Sequence, residues 1–221
     1  MKDIQEAVKG GADRVELVTA LREGGYTPSI QLTEEAIKIS PVPVHVMLRL
    51  PKQSFQYSTE EKKRLRKEAH LLQAIGVKYV VLGLLDGEGL ADVEGLEYIL
   101  EGTDLTATFH RAFDESSSLL RSLERINNCQ KITHLLTSGG PGKVTDNLIQ
   151  LKQVLTLSRQ RVILGSGVNT ETLDELMDSL GSFSFDLHVG TGVRSGDVDG
   201  DVEAEQVAEF TKKVQRYRKS Q

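Results

Sequence analysis

The chain has a single cysteine, Cys129, and no tryptophan among its 221 residues. One thiol cannot close an intramolecular disulfide, and alone it cannot build a thiolate metal site. Also missing is any apolar run near the ~20 residues that cross a bilayer, which excludes a spanning helix. The opening residues, Met1-Lys2-Asp3-Ile4-Gln5-Glu6, lack the apolar stretch of a secretory signal. Cytoplasmic residence is the expectation. No basic tract is present and the formal net charge is −5, so nucleic acid is excluded as the expected partner. The one basic cluster, Lys62 to Lys67, is interleaved with Glu60, Glu61 and Glu68 and reads as a solvated helix face.

What is present is a repeated unit. Hydrophobic residues make up 38% and charged residues 27%, enough to bury one sizeable core. Seven short apolar runs occur at Asp13–Val18, Pro43–Leu48, Lys78–Leu84, Leu105–His110, Ile132–Thr137, Arg161–Gly165 and Ser184–Val189. Helix-patterned sequence follows each, at about 116–127, 143–158 and 170–180 for example, and strand starts recur every ~23 to 35 residues, one βα unit each. Ser58-Thr59-Glu60-Glu61 carries a capping-box signature for the helix that ends at Gly76. No linker interrupts the series, so residues 1–221 read as one domain. The expected fold is α/β, a TIM-type (β/α)8 barrel that lacks its first strand in this sequence, since residues 3–9 already read as helix.

Barrel strands with both faces buried read as continuous Val, Ile and Leu. Here they alternate. His45, Met47 and Arg49 oppose Val44, Val46 and Leu48; Thr106, Thr108 and His110 oppose Leu105, Ala107 and Phe109; Asp186 and His188 oppose Leu187 and Val189. With the apolar faces under the helices, Glu16, His45, Arg49, His110 and His188 converge on the barrel axis and rim. Ionisable groups there are costly unless paired, which points to a ligand site. Glu16 or His110 serves as general base, with Arg111 and Asp114 beside them as further catalytic candidates, and Arg49 and Arg111 act as anion clamps. Gly165-Ser166-Gly167 and Gly190-Thr191 follow the last two strands, where barrels often seat phosphate, with donors added by Thr137, Ser138 and Gly139 and help from Arg194. His45, His110 and His188, with Met47, are the candidate copper ligands. No G-x-G-x-x-G or Walker pattern is present, which weighs against a dinucleotide or ATP loop.

Gly11-Ala12-Asp13-Arg14-Val15-Glu16-Leu17, Glu23-Gly24-Gly25 with Thr27-Pro28-Ser29, Pro43-Val44-His45-Val46-Met47, Thr108-Phe109-His110-Arg111-Ala112-Phe113-Asp114 and Leu136-Thr137-Ser138-Gly139 together resemble the CutC family. The resemblance runs to about Arg194. It implies a TIM-type barrel, cytoplasmic and homo-oligomeric, with a role in copper homeostasis and copper as its bound ion. The family's opening strand, which commonly carries a cysteine, has no counterpart here, and Val18 stands where the family carries a second cysteine. Two functions are therefore carried forward: copper binding, and an enzyme acting on a small anionic or phosphorylated substrate at the rim.

Overall fold

A computed structural model describes residues 1–219. Seven strands form one sheet in sequence order: β1 Val15–Leu17, β2 Val44–Met47, β3 Tyr79–Val81, β4 Thr106–Phe109, β5 Ile132–Thr137, β6 Arg161–Leu164 and β7 Asp186–Leu187. Every neighbouring pair is parallel. The sheet curls without closing, because β7 and β1 share no ladder. This is the TIM-type barrel with a strand missing.

Eight helices accompany the strands: α1 Lys2–Lys9, α2 Ile30–Ile39, α3 Thr59–Ala74, α4 Val93–Leu100, α5 Leu119–Asn127, α6 Leu148–Leu157, α7 Thr172–Leu180 and α8 Ala204–Lys219. Local chemistry fixes their starts. Ser58 Oγ accepts from Glu61 N while Glu61 returns a carboxylate to Ser58 N, the reciprocal cap expected from the sequence. Ser29 and Asp92 cap α2 and α4 one way only, accepting from Leu32 N and Gly95 N. The stretch expected as helix over 143–158 begins with a 3-10 turn, Val144–Asn147, ahead of α6, and another 3-10 turn, Arg111–Glu115, precedes the stretch expected over 116–127.

The alternation along the strands sorts the two faces. Val44, Val46, Leu48, Val80, Leu82, Ala107, Phe109, Leu135, Val162 and Leu164 join the core packed beneath the helices. At about 25 cal/mol per Å² of apolar surface, each fully buried aliphatic side chain there contributes ~1.5–3 kcal/mol. The opposite face carries the polar residues. α1 packs against α8 beside the open seam, and a Cβ on Gly10 would lie 2.4 Å from Val207, so only glycine permits that approach. Among the described residues no helix is long and apolar enough to cross a membrane.

Candidate functional site at the barrel rim

The inward polar groups fall into two levels rather than the single cluster expected. Toward the amino-terminal ends of the strands, Arg14 crosses the interior to Asp186 at 2.7 Å and His134 at 3.3 Å. Arg161 adds a second guanidinium to Asp186 at 2.6 Å. His45 belongs to this lower level: its ring stacks on Tyr79 at 4.8 Å, meets His134 edge-on, and its Nδ1 lies 3.3 Å from Thr108 Oγ1. Burial, then the charge of Arg14 and the neighbouring His134, lower its pKa to about 4. A neutral imidazole is the form the interior accepts.

Above Asp186 on the last strand, His188 faces Glu16, the middle residue of β1, across the seam. His188 Nδ1 is 3.7 Å from Glu16 Oε2, and both side chains are partly exposed. Gly165 and Gly190 both lie beside this side chain, and the tight approach at Gly165 is to Leu136, 2.7 Å from where its Cβ would be. A Cβ on Gly165 would touch His188 Cβ at 3.5 Å, and one on Gly190 would lie 4.0 Å from His188 Nε2. One glycine loop thus lies against the base of the His188 side chain and the other near its outer ring nitrogen.

Those loops also hold unused donors. Gly165 N donates to Thr137 O, but the amides of Ser166, Gly167 and Val168, and of Val189, Gly190 and Thr191, donate to no acceptor among the described residues. Ser166 adopts φ 79, an unfavourable left-handed conformation for serine, followed by Gly167 at φ 74. The turn is stitched to its neighbour by Ser166 Oγ to Gly142 O at 2.9 Å and Val144 N to Ser166 O at 3.0 Å. A short 3-10 turn, Thr191–Val193, follows β7. Loops after the last two strands plus a short extra helix are the parts from which barrels make phosphate sites.

Other predicted residues have different work. Asp114 is buried, and its carboxylate accepts from Thr137 Oγ1, Ser138 N, Ser138 Oγ, Gly140 N and Arg111 Nε. Arg111 spends its remaining contacts on Ser138 Oγ at 3.0 Å and Gly142 O at 3.2 Å. Asp114, Arg111, Thr137, Ser138 and Gly139 therefore build the loop after β5; Gly139 N itself donates to Thr137 Oγ1. Arg194 Nη1 donates to Asp3 and to the Gly200 carbonyl. Arg49 is buried, and its terminal nitrogens donate to the carbonyls of Gly24, Gly25 and Lys52. His110 is buried beside it; burial, then the Arg49 charge, lower its pKa to about 3. Phe55, not among the predicted site residues, touches two of them, Arg49 and His110, and Arg14, likewise not predicted for the site, is close enough to His45 for its charge to lower that pKa. Arg14 shares the inward face of Glu16 and was legible by the same alternation.

Copper was tested against this donor set. Among the described residues no three His, Cys, Asp or Glu side chains are grouped as a metal ion needs. His45 sits in the lower polar layer, His110 is fixed by its Nδ1 accepting from Ala112 N at 3.2 Å, and His188 faces Glu16. Cys129 is buried ahead of β5, and burial pushes its thiol up to about 11, so the thiolate a soft metal needs is disfavoured. The residues present do not fit a copper site.

The fold and rim define a TIM-type barrel protein. The solved Rubisco of Pyrococcus horikoshii overlies 99% of this chain and 55% of its own at a TM-score of 0.64 with 15% identity, a likeness of fold alone. The chain belongs to the CutC family, whose model matches residues 1–193. A family protein CutC of Aliivibrio fischeri is 32% identical over 188 residues, covering 82% of this chain and 75% of the relative. Its counterpart in Enterococcus faecalis is 32% identical over 187 residues, covering 80% and 89%. The solved CutC structure from Streptococcus agalactiae matches at a TM-score of 0.72 with 25% identity, covering 79% of this chain and 87% of that one.

Proposed function

We propose that this CutC-family barrel binds a small phosphorylated molecule at its carboxyl-terminal rim and carries out proton transfer on it through His188. One observation carries the reading: two adjacent loops, Ser166–Val168 and Val189–Thr191, present backbone amides that no group among the described residues accepts. Such donors next to a helical turn suit an oxyanion. The same loops bracket His188, whose Nδ1 faces Glu16. With Glu16 holding the Nδ1 hydrogen, Nε2 is the basic nitrogen and lies on the loop side, where a bound substrate would meet it. At 3.7 Å the pair is longer than a hydrogen bond, and the proposed proton transfer requires it to tighten when the substrate binds.

Copper homeostasis, for which the Streptococcus agalactiae relative is named, finds no donor set among the described residues, and no step is assigned to a metal. Thermal unfolding in inorganic phosphate and simple sugar phosphates tests the reading. At about 100 times its dissociation constant a ligand specific for the folded state adds ~2.7 kcal/mol. Gly190→Val puts side-chain bulk against His188 Nε2 at a position whose φ is negative, so it removes the anion response without forcing a left-handed valine. A wild-type midpoint indifferent to every oxyanion rejects the proposal.

A further inference from the structure

Arg49 is 6% exposed and has no carboxylate within salt-bridge distance among the described residues. Its Nη1 donates to Gly24 O at 3.0 Å and Gly25 O at 3.4 Å, its Nη2 donates to Lys52 O at 3.1 Å, and its Nε is buried with no acceptor. His110, 5% exposed, repeats the pattern. Its Nδ1 accepts from Ala112 N, so the ring hydrogen is on Nε2, and Nε2 is buried with no acceptor. The two are neighbours under one cover. The Phe55 ring centroid lies 4.7 Å from the Arg49 guanidinium carbon and 5.0 Å from the His110 ring centroid. The Tyr57 hydroxyl is a third buried group with no well-formed hydrogen bond, and it lies close enough to Arg49 for the guanidinium to oppose the rise that burial gives its pKa.

Carbonyls and aromatic faces solvate a guanidinium in part, but they leave its charge uncompensated, and a buried uncompensated charge costs several kcal/mol. A buried water would satisfy the donors and leave the charge. An anion satisfies both. The neutral His110 does not repel it, and Gly83 leaves room for that ring, since a Cβ there would lie 2.5 Å from Nδ1. We propose that Arg49 Nε and His110 Nε2 form a carboxylate subsite beneath Phe55, so that the molecule bound at the rim carries a carboxylate as well as a phosphate. A planar monoanion with two acceptor oxygens matches two single N–H donors. The pairing of carboxylate with phosphate rests on the proposed function; the carboxylate site does not.

Calorimetry with inorganic phosphate, glycolate and 2-phosphoglycolate separates the two. The expected result is 2-phosphoglycolate binding about tenfold or more tighter than phosphate, the increment of a charge-assisted pair. Arg49→Met and His110→Phe remove that increment and leave phosphate affinity unchanged. Because either variant could misfold, the wild-type protein with 15N-labelled histidine supplies a second readout. The His110 Nε2–H signal moves with glycolate and with 2-phosphoglycolate, and stays in place with phosphate. Phosphate binding to which the carboxylate adds less than about twofold overturns the subsite and leaves the rim reading intact. Movement of the His110 signal by glycolate, with no phosphate binding, supports the subsite and rejects the rim reading. Silence of that signal in both carboxylates overturns the subsite outright.

Discussion

Arg14 and Asp186 close the bottom of the open seam: Arg14 Nη2 reaches Asp186 Oδ2 at 2.7 Å across the gap between the two edge strands. Burial alone would raise the Asp186 pKa, but Arg161 and Arg14 outweigh it and hold the carboxyl below its ordinary value. A carboxylate depressed in the folded state stabilises above its unfolded pKa of about 4 and loses that stabilisation as pH falls through the folded value. Asp186→Asn is expected to cost about 2 kcal/mol at neutral pH, discounted from a fully buried pair because both side chains keep about a quarter of their exposure. Urea unfolding checks it. The difference from wild type should shrink below pH 4, and an equal loss at every pH would argue against the ion pair.

His45 and His110 work at milder acidity. Their folded pKa values are lowered to about 4 and about 3, in both cases chiefly by burial. Unfolded imidazole titrates near 6.5, so the stabilisation is complete above that value and drains as pH falls toward the folded values. At pH 5 each histidine should have withdrawn about 2 kcal/mol relative to pH 7. His45→Gln should therefore remove about 2 kcal/mol of the stability lost between pH 7 and pH 5, leaving the shares of His110 and of His134, whose pKa burial also lowers. A slope identical to wild type would show that His45 ionises as readily folded as unfolded.

The strands, their parallel order and the sorting of their faces were legible because period-two alternation is a local signal. The capping box at Ser58 and Glu61 and the helix stop at Gly76 were legible for the same reason. The two levels were not. Alternation says that Arg14, His45, Arg49 and His188 point inward, but not how far each side chain reaches or which strand meets it. Arg49 looked like an anion clamp, yet its terminal nitrogens went to loop carbonyls, because the loop at Gly24 and Gly25 folds back over it. Only the Nε left over bears on a ligand. Asp114 reads as a catalytic candidate within its motif; that its carboxylate also gathers the donors of the loop after β5 depends on where a segment more than twenty residues later returns.

Gly83 offers a sharp steric test. Its φ lies outside the left-handed region, so alanine carries no backbone strain there, yet the new Cβ would lie 2.5 Å from His110 Nδ1 and 2.8 Å from Cε1. The ring must shift, breaking its bond to Ala112 N. Gly83→Ala is expected to destabilise by about 1–3 kcal/mol, as overpacking does, and to displace the His110 ring signals. Unchanged stability and unchanged ring signals would mean that the packing around His110 is looser than the contact implies.

Asp114 is the residue on which the loop after β5 depends. Thr137 Oγ1, the amide and hydroxyl of Ser138, Gly140 N and Arg111 Nε all converge on one carboxylate that is 3% exposed. Removing the acceptor strands several buried donors together, and each unsatisfied donor costs about 1–3 kcal/mol before the loop relaxes. Asp114→Ala should therefore lower stability by about 3 kcal/mol or more, while Asp114→Asn, which keeps one acceptor oxygen and adds a competing donor, falls between it and wild type. Hydrogen exchange locates the damage: the amides of Ser138 and Gly140 lose protection first, and those of β2 keep theirs. The same loop contacts the one after β6 through Val144 N and Ser166 O, so the phosphate response should weaken in the alanine variant without abolition of the fold. Retained protection at Ser138 and Gly140 in Asp114→Ala would show that the backbone holds this turn without the carboxylate.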